Sequence, residues 1–216
     1  MRKEDSPPAV LPVDKAFTFG QVLVTAIGGS RFRLCHRDDA DDANTLDKFE
    51  DPEAALQIAR TDDAGNYRPL KTAPNLRHGW QLEIGTFDLW RALDYFYPGR
   101  LALLQAWKER RLKPTPMRDT LGRQSGMYRV AATISDQELN DVIGNFCRSD
   151  GGCLRTILWK RDARGAVTST KLPPEKFDPA YDQSGRGENA IPLLCQEICS
   201  LLLNECRKAV KGEINE

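Results

Sequence analysis

Four of the six cysteines in this chain form two close pairs, Cys147 with Cys153 and Cys195 with Cys199. The N-terminal sequence is charged and proline-rich and has no apolar core of signal-peptide length, so we expect a cytoplasmic protein. Lasting disulfides are rare in that reducing compartment, where clustered thiols more often bind metals. The two pairs therefore predict one shared metal centre with four cysteine ligands.

The second pair lies in a segment whose pattern predicts a helix from Pro192 to Gly212. Residues four apart on a helix share a face, which would place the β-carbons of Cys195 and Cys199 ~5 to 6 Å apart. Cys206 follows seven residues later, ~10 Å further along a helix axis, and is too distant for the same small centre. We interpret Cys206, like Cys35, as a buried thiol.

The first pair is expected at the end of a helix that begins near Ser135 and reaches Cys147. Five residues, two of them the glycines at 151 and 152, separate Cys147 from Cys153. Glycine relaxes the backbone restrictions, so both sulfurs of this pair can turn toward a common point.

The spacing also bears on the identity of the metal. A tetrahedral zinc with Zn–S bonds of ~2.3 Å draws its sulfurs to ~4 Å from one another, and C-x2-C spacing is common in such sites. Neither cysteine pair has that spacing. A [4Fe-4S] cluster is larger and takes four outward-facing thiolates, so the spacing favours iron–sulfur. The alternatives are a zinc-stapled interaction module without a redox role, and cysteines that are simply buried in a core.

Other polar residues offer weaker indications of chemistry. His36 and His78 lie far from the cysteine pairs in sequence, and we interpret both as surface or hydrogen-bonded residues without a chemical role. Two arginine-containing segments, Tyr67–Arg68 and residues 123–129, have the side chains that clamp carboxylates, such as those of a tetrapyrrole. An enzyme acting through these segments is a further alternative, although arginines more often brace loops.

Charge excludes some classes of partner. Lys and Arg number 31, and Asp and Glu number 31, so the formal net charge is zero. Without a positive field, binding to nucleic acid or to an anionic membrane surface is not expected. No stretch approaches the ~20 apolar residues of a membrane span.

The remaining pattern predicts an α+β fold, with an N-terminal sheet and helices followed by a smaller α+β region that ends in a long helix. Expected domains are a disordered arm over 1–15, a first domain over 16–115 and a second over 116–216. Turn and capping residues predict the following elements: a β-hairpin around Ile27–Ser30, helices over 52–61, 86–97 and 101–111, a strand over 126–132, and two strands flanking a turn at 162–165.

Four segments, YRPLK, GRQSGMYRV, FC-x5-CLRTILW and PLLCQEICSLLLNECR, resemble a bacterial iron–sulfur family. This family combines a stabilising domain with a 4Fe-4S cluster-binding domain, and in some bacterial proteins the two follow a CbiX-type sirohydrochlorin cobaltochelatase module. The resemblance covers about residues 16–115 and 120–211. It places the cluster ligands on Cys147, Cys153, Cys195 and Cys199.

This sequence contains no chelatase module, so the resemblance implies a cluster carrier rather than an enzyme. A cluster with four cysteine ligands has no open position for a substrate, which favours electron transfer or redox sensing. Arg148 and Arg155 would offset its negative charge, and Phe146 and Trp159 would shield it from water. The redox partner is unknown, and a sirohydrochlorin chelatase or another tetrapyrrole enzyme is the candidate partner that the resemblance implies.

Overall fold

The computed structural model describes residues 11–42, 45–67, 76–113, 115–147, 155–159 and 189–213. It confirms the α+β class. The described residues up to Arg111, together with 189–193, form one compact unit, and those of 112–159 and 194–213 form a second. None of the helices in the described part of the chain has the length and apolar character that crossing a bilayer demands.

In chain order the strands are β1 (Phe17–Phe19), β2 (Val22–Gly28), β3 (Arg31–His36), β4 (Asp47–Phe49), β5 (Trp80–Gly85), β6 (Arg155–Ile157), β7 (Ala190–Ile191) and β8 (Leu193–Cys195). The α-helices are α1 (Ala54–Arg60), α2 (Thr86–Phe96), α3 (Arg100–Lys108), α4 (Met117–Gly122), α5 (Asp136–Cys147) and α6 (Ser200–Lys211). Two 3-10 helices span Arg37–Asp42 and Gly126–Thr133.

The first unit is built on a six-stranded sheet with the order β4-β5-β3-β2-β1-β7. The predicted hairpin is confirmed: β2 and β3 pair antiparallel, and positive φ angles at Gly28, Gly29 and Ser30 form the turn between them. β3 also pairs antiparallel with β5, whereas the outer pairs β4–β5 and β1–β7 are parallel. Side chains alternate between the two faces of β2, with Val22 and Val24 buried and Leu23 and Thr25 partly exposed.

Helices α1 and α2 pack against each other and on β5, which confirms the predicted helices in this region. Trp80 from β5 stacks on Phe96 of α2 with ring centroids 4.9 Å apart. Tyr97, just after α2, accepts a hydrogen bond at its hydroxyl from the Gln21 backbone N–H at 2.9 Å. These contacts lie in a buried aromatic core that holds the helices on the sheet.

The second unit is mainly helical. Ser135 and Glu138 form the predicted capping box: the Ser135 N–H donates to Glu138 Oε2 at 3.0 Å, and the Glu138 N–H donates to Ser135 Oγ at 3.2 Å. Helix α5 then runs to Cys147 and packs on α6. β6 lies within the first of the two strands predicted around residues 162–165 and forms a two-stranded sheet with β8.

The strand predicted over residues 126–132 is wrong, because Gly126–Thr133 is a 3-10 helix. Gly126 has φ of 57° at its start, and the element packs against α4 and α6 instead of pairing with a strand. The β-propensity of its apolar residues is therefore overridden by tertiary packing. The turn and strand predicted beyond residue 160 lie outside the described residues, as do residues 1–10 of the predicted arm. Residues 11–15 form turns, and Leu11 is buried.

Candidate metal centre

Three of the four predicted cysteine ligands are described, and each comes from a different element of the second unit. Cys147 is the last residue of α5, Cys195 is the last residue of β8, and Cys199 is the N-cap of α6. Cys195 belongs to the buried core of this unit, and the partly buried Cys147 and Cys199 pack against that core. The fourth, Cys153, lies outside the described residues, as does Arg148, and the side chain of Arg155 is not described either.

The prediction that Cys195 and Cys199 lie on one face of a helix is wrong. Leu193, Leu194 and Cys195 are buried and form strand β8, and the Leu158 N–H donates to the Cys195 carbonyl at 2.9 Å. A short, fully apolar run reads equally well as a buried strand or a buried helix, so its periodicity does not decide between them. The helix begins only at Ser200, and a turn separates the two cysteines.

That turn is fixed by hydrogen bonds from both of its ends. The Cys195 thiol donates to the Glu197 carbonyl at 3.1 Å, and the Gln196 carbonyl accepts from the Thr115 N–H at 3.3 Å. At its far end, Cys199 Sγ accepts from the Leu202 N–H at 3.4 Å. An N-cap sulfur is surrounded by the unpaired N–H groups of the first helical turn, which favour a negative charge there.

The core beneath these cysteines contains an unusual polar atom. Trp159 is fully buried, and its indole Nε1 has no hydrogen-bond partner among the described residues. It belongs to the same core as Cys195 and Ile198. Buried N–H groups normally find an acceptor, and thiolate or sulfide sulfur would provide one. Three cysteines at the edge of one apolar core, with N–H donors beside them, fit the chemistry of a thiolate-bound cluster.

The spacing of the sulfurs also bears on zinc. Among the described residues, the set of three or more ligand atoms lying within 4.8 Å of one another is formed by His36, Asp39 and His78 and includes no cysteine. Ligands of a single zinc lie ~4 Å apart when they are sulfur. The three described sulfurs therefore do not all lie within 4.8 Å of one another in this structure.

The remaining cysteines behave as buried thiols. Cys206 is fully buried in the core of the second unit, and burial raises the pKa of its thiol to about 12. In the first unit, burial and then the nearby Asp39 carboxylate raise the pKa of Cys35 to about 11, against an opposing effect of Arg33. Without a metal beside them, both thiols are therefore protonated at neutral pH.

The two histidines, for which no chemical role is predicted from the sequence, lie together in the first unit. Their rings are 4.0 Å apart between centroids, and His78 Nδ1 lies 2.6 Å from Asp39 Oδ1. The hydrogen bond to Asp39 raises the pKa of His78, whereas burial, followed by the charge of His78, lowers the pKa of His36. Burial alone would raise the pKa of Asp39, but hydrogen bonds from His78 and Gly79 outweigh it, and the pKa is lowered.

The described residues of the two arginine segments lie in different units, one segment in each. Arg123 and Arg129 are exposed at the start of the second unit, and Arg123 Nη2 donates to Thr120 Oγ1 at 3.4 Å. Tyr67 is exposed in the first unit, and Arg68 lies outside the described residues. The described part of these segments supports a bracing role for Arg123 rather than a ligand clamp.

Comparison with family models identifies an iron–sulfur protein. Residues 9–111 match the DR2241 stabilising domain, and residues 109–208 match a 4Fe-4S iron–sulfur cluster binding domain. The chain therefore belongs to the family in which these two domains follow one another, and its cofactor is a [4Fe-4S] cluster.

One solved structure is similar to most of this chain. DR2241 from Deinococcus radiodurans is 27% identical, with a TM-score of 0.69 over 91% of this chain. It is described as a multi-domain protein with structural similarity to chelatases and with two additional novel domains. This chain spans 39% of DR2241. No curated protein matches the chain.

Proposed function

We propose that Cys147, Cys153, Cys195 and Cys199 are the four ligands of the [4Fe-4S] cluster and that the protein serves one-electron transfer or redox sensing. The observation that carries this proposal is the position of three of these cysteines, which three different elements bring to one apolar core. When bound, a cluster with four thiolate ligands supplies one-electron redox chemistry and leaves no position open for a substrate.

The chain's own residues would set the reduction potential. The reduced state carries one more negative charge, so groups that stabilise negative charge raise the potential. The Leu202 N–H at Cys199 Sγ is one such donor, and it lies at the N-terminal, electropositive end of the 12-residue helix α6. The apolar side chains around Cys195 act in the opposite direction, because a low-dielectric surrounding disfavours added charge.

Assay of the anaerobically purified, untagged protein tests the proposal. We expect a brown protein with broad absorbance near ~400 nm and about four irons and four sulfides per chain. Reduction should be reversible and should yield the spectrum of a one-electron-reduced cluster. A colourless protein with one zinc bound by the cysteines would instead support the interaction module without a redox role.

Replacement of Trp159 tests whether its buried indole Nε1–H, which has no partner among the described residues, donates a hydrogen bond to the cluster. In Trp159→Phe, we expect full iron content and a midpoint potential lowered by about 40 mV, because a hydrogen bond that strengthens on reduction by about 1 kcal/mol is lost. The measurement is a redox titration of both proteins. Trp107→Phe, in the helix α3 of the other unit, is the control and should keep the original potential. An unchanged potential in Trp159→Phe would show that the indole does not donate to the cluster.

The partner and compartment are also proposals. DR2241 is described as similar in structure to chelatases, and this chain matches 39% of it. We propose that this chain acts with a separate sirohydrochlorin chelatase or other tetrapyrrole enzyme in the cytoplasm. Titration of sirohydrochlorin into the cluster-loaded protein, alone and with such a chelatase, tests the link. The proposed link is wrong if neither addition changes the measured binding constants or the rate at which the cluster is reduced.

A further inference from the structure

The sheet brings two histidines together from distant parts of the sequence. β3 ends at His36, and β5 begins at Trp80, two residues after His78. Because β3 and β5 are antiparallel neighbours, with Cys35 opposite Gln81, the end of β3 lies beside the start of β5. The 3-10 helix that follows β3 then returns Asp39 to the same place. Three ligand-type side chains therefore meet at one corner of the sheet.

The ligand atoms of this trio are already close. One ring nitrogen of His36, one of His78 and a carboxylate oxygen of Asp39 all lie within 4.8 Å of one another. His36 is 1% exposed, and its Nε2 has no hydrogen-bond partner among the described residues. A buried imidazole nitrogen without a partner costs free energy, and a bound cation would remove that cost.

We propose that His36, Asp39 and His78 form a second metal site, which binds a divalent first-row transition ion such as Zn²⁺. Two imidazoles and one carboxylate are the protein ligands of many zinc sites that leave the fourth position to water or substrate. The side chain of His78 is 52% exposed, so an ion can reach the trio from solvent. This site lies in the first unit and does not depend on the cysteine centre.

For His78 and Asp39, the geometry requires only a small adjustment to take an ion. Zinc bonds of ~2.0 to 2.1 Å in a tetrahedral arrangement separate the ligand atoms by ~3.3 Å. His78 Nδ1 and Asp39 Oδ1 are 2.6 Å apart, so the ion would replace their shared proton, and the exposed His78 ring would move outward by under ~1 Å. Asp39 is held for this role because the Gly79 N–H donates to its other oxygen at 2.8 Å.

The surroundings of His36 also suit coordination. In the structure the Asp38 N–H donates to His36 Nδ1 at 3.2 Å, which places the ring proton on the unpartnered Nε2. With an ion on Nε2, the ring proton would lie on Nδ1, so the Asp38 N–H would give up its hydrogen bond to that nitrogen, and Asp38 Oδ2, 3.7 Å away, would become the acceptor of the Nδ1 proton. Carboxylates behind metal-bound histidines orient the ring in this way.

Zinc titration of the untagged, cluster-loaded full chain tests the proposal. We expect one Zn²⁺ per chain by calorimetry and elemental analysis, with the cluster absorbance unchanged. The chain has two histidines, so histidine-selective ¹⁵N labelling gives imidazole signals from only these two rings. Zinc should shift a nitrogen of both rings, including Nε2 of His36.

Variants of exposed residues separate ligation from folding. His78→Ala should weaken zinc binding about 100-fold or more. Loss of a residue that only hydrogen-bonds a metal ligand lowers metal affinity about 10- to 100-fold, and loss of a ligand itself should have a larger effect. Asp41→Asn is the control. It removes one negative charge, as loss of Asp39 would, but Asp41 is an exposed neighbour outside the trio, so zinc binding should persist. Cys195→Ser should retain the zinc even where it loses the cluster.

Three results would overturn the second site. The first is that the folded, cluster-loaded chain binds no zinc. The second is that the original protein and His78→Ala bind zinc with equal affinity. The third is that zinc binds but shifts the signals of neither imidazole. Circular dichroism of each variant confirms that the fold is retained. Because Cys195→Ser separates the two centres, failure here leaves the cluster assignment intact.

Discussion

Cys195→Ser is expected to reduce the iron content from about four per chain to near zero under anaerobic purification. Cys195 is buried at the end of β8, where the Leu158 N–H holds its backbone. The nearest cysteine along the chain, Cys199, is itself a proposed ligand, so its thiol cannot replace the sulfur that Cys195 loses. Serine binds iron much less readily than thiolate at neutral pH, because its hydroxyl is far harder to deprotonate. Iron and sulfide analysis together with absorbance near ~400 nm measures the loss.

Cys206→Ala is the matched control for that substitution. Cys206 is fully buried in the same core, and burial raises the pKa of its thiol to about 12, so it is not expected to act as a ligand. Its alanine variant should keep all the iron and should lose only a little stability, because the volume change is small. Equal iron loss in both variants would point to a packing defect, and full iron in Cys195→Ser would remove Cys195 from the ligand set.

Local signals in the sequence are sufficient for several elements of the fold. The positive-φ turn at Gly28 and Gly29 and the alternation in β2 specify the hairpin, and the Ser135–Glu138 capping box specifies the start of α5. Such signals act within a few residues, so no long-range contact is needed to read them. The end of α6 was predicted for the same reason, because Gly212 adopts a left-handed φ of 68°.

Elements whose conformation depends on a distant partner were harder to predict. Leu193–Cys195 is a strand because it meets β6, and Gly126–Thr133 is a 3-10 helix because it meets α4 and α6. Both sequences are short and apolar, and neither contains a cap or breaker that decides its conformation alone. The cysteine set stays a prediction: the spacing of the two pairs still supports it, but the helical face expected to bring Cys195 and Cys199 together is replaced by a strand, a turn and an N-cap.

The His36, Asp39 and His78 trio was missed for a similar reason. Forty-one residues lie between the two histidines in the sequence, and only the antiparallel pairing of β3 with β5 brings them together. One signal is present in the sequence: His36 lies near the end of the apolar run that follows the predicted turn at Ile27–Ser30, and His78 lies two residues before the apolar run that begins at Trp80. If two such strands are neighbours and antiparallel, the end of the first lies beside the start of the second.

Gly20→Ala is expected to lower the free energy of unfolding of the first unit by about 2 to 5 kcal/mol. Gly20 has φ of 61°, and a β-carbon there would lie 2.7 Å from Cζ and Oη of Tyr97. The Tyr97 ring has little room to yield, because it packs edge-on against Phe19 at 5.5 Å and accepts the Gln21 N–H at its hydroxyl. Left-handed strain and steric overlap therefore act together. Urea unfolding followed by circular dichroism measures the difference.

Gly29→Ala isolates the backbone contribution to that loss. Gly29 has a similar φ of 58°, but no atom lies within 4 Å of where its β-carbon would be. Its alanine variant should lose only about 1 to 2 kcal/mol, which is the cost of left-handed backbone in an L-residue. In a Tyr97→Leu background the ring is gone, so the cost of Gly20→Ala should fall to the same value. Equal losses for the two glycine variants in the original background would show that the Tyr97 ring yields to the added methyl group.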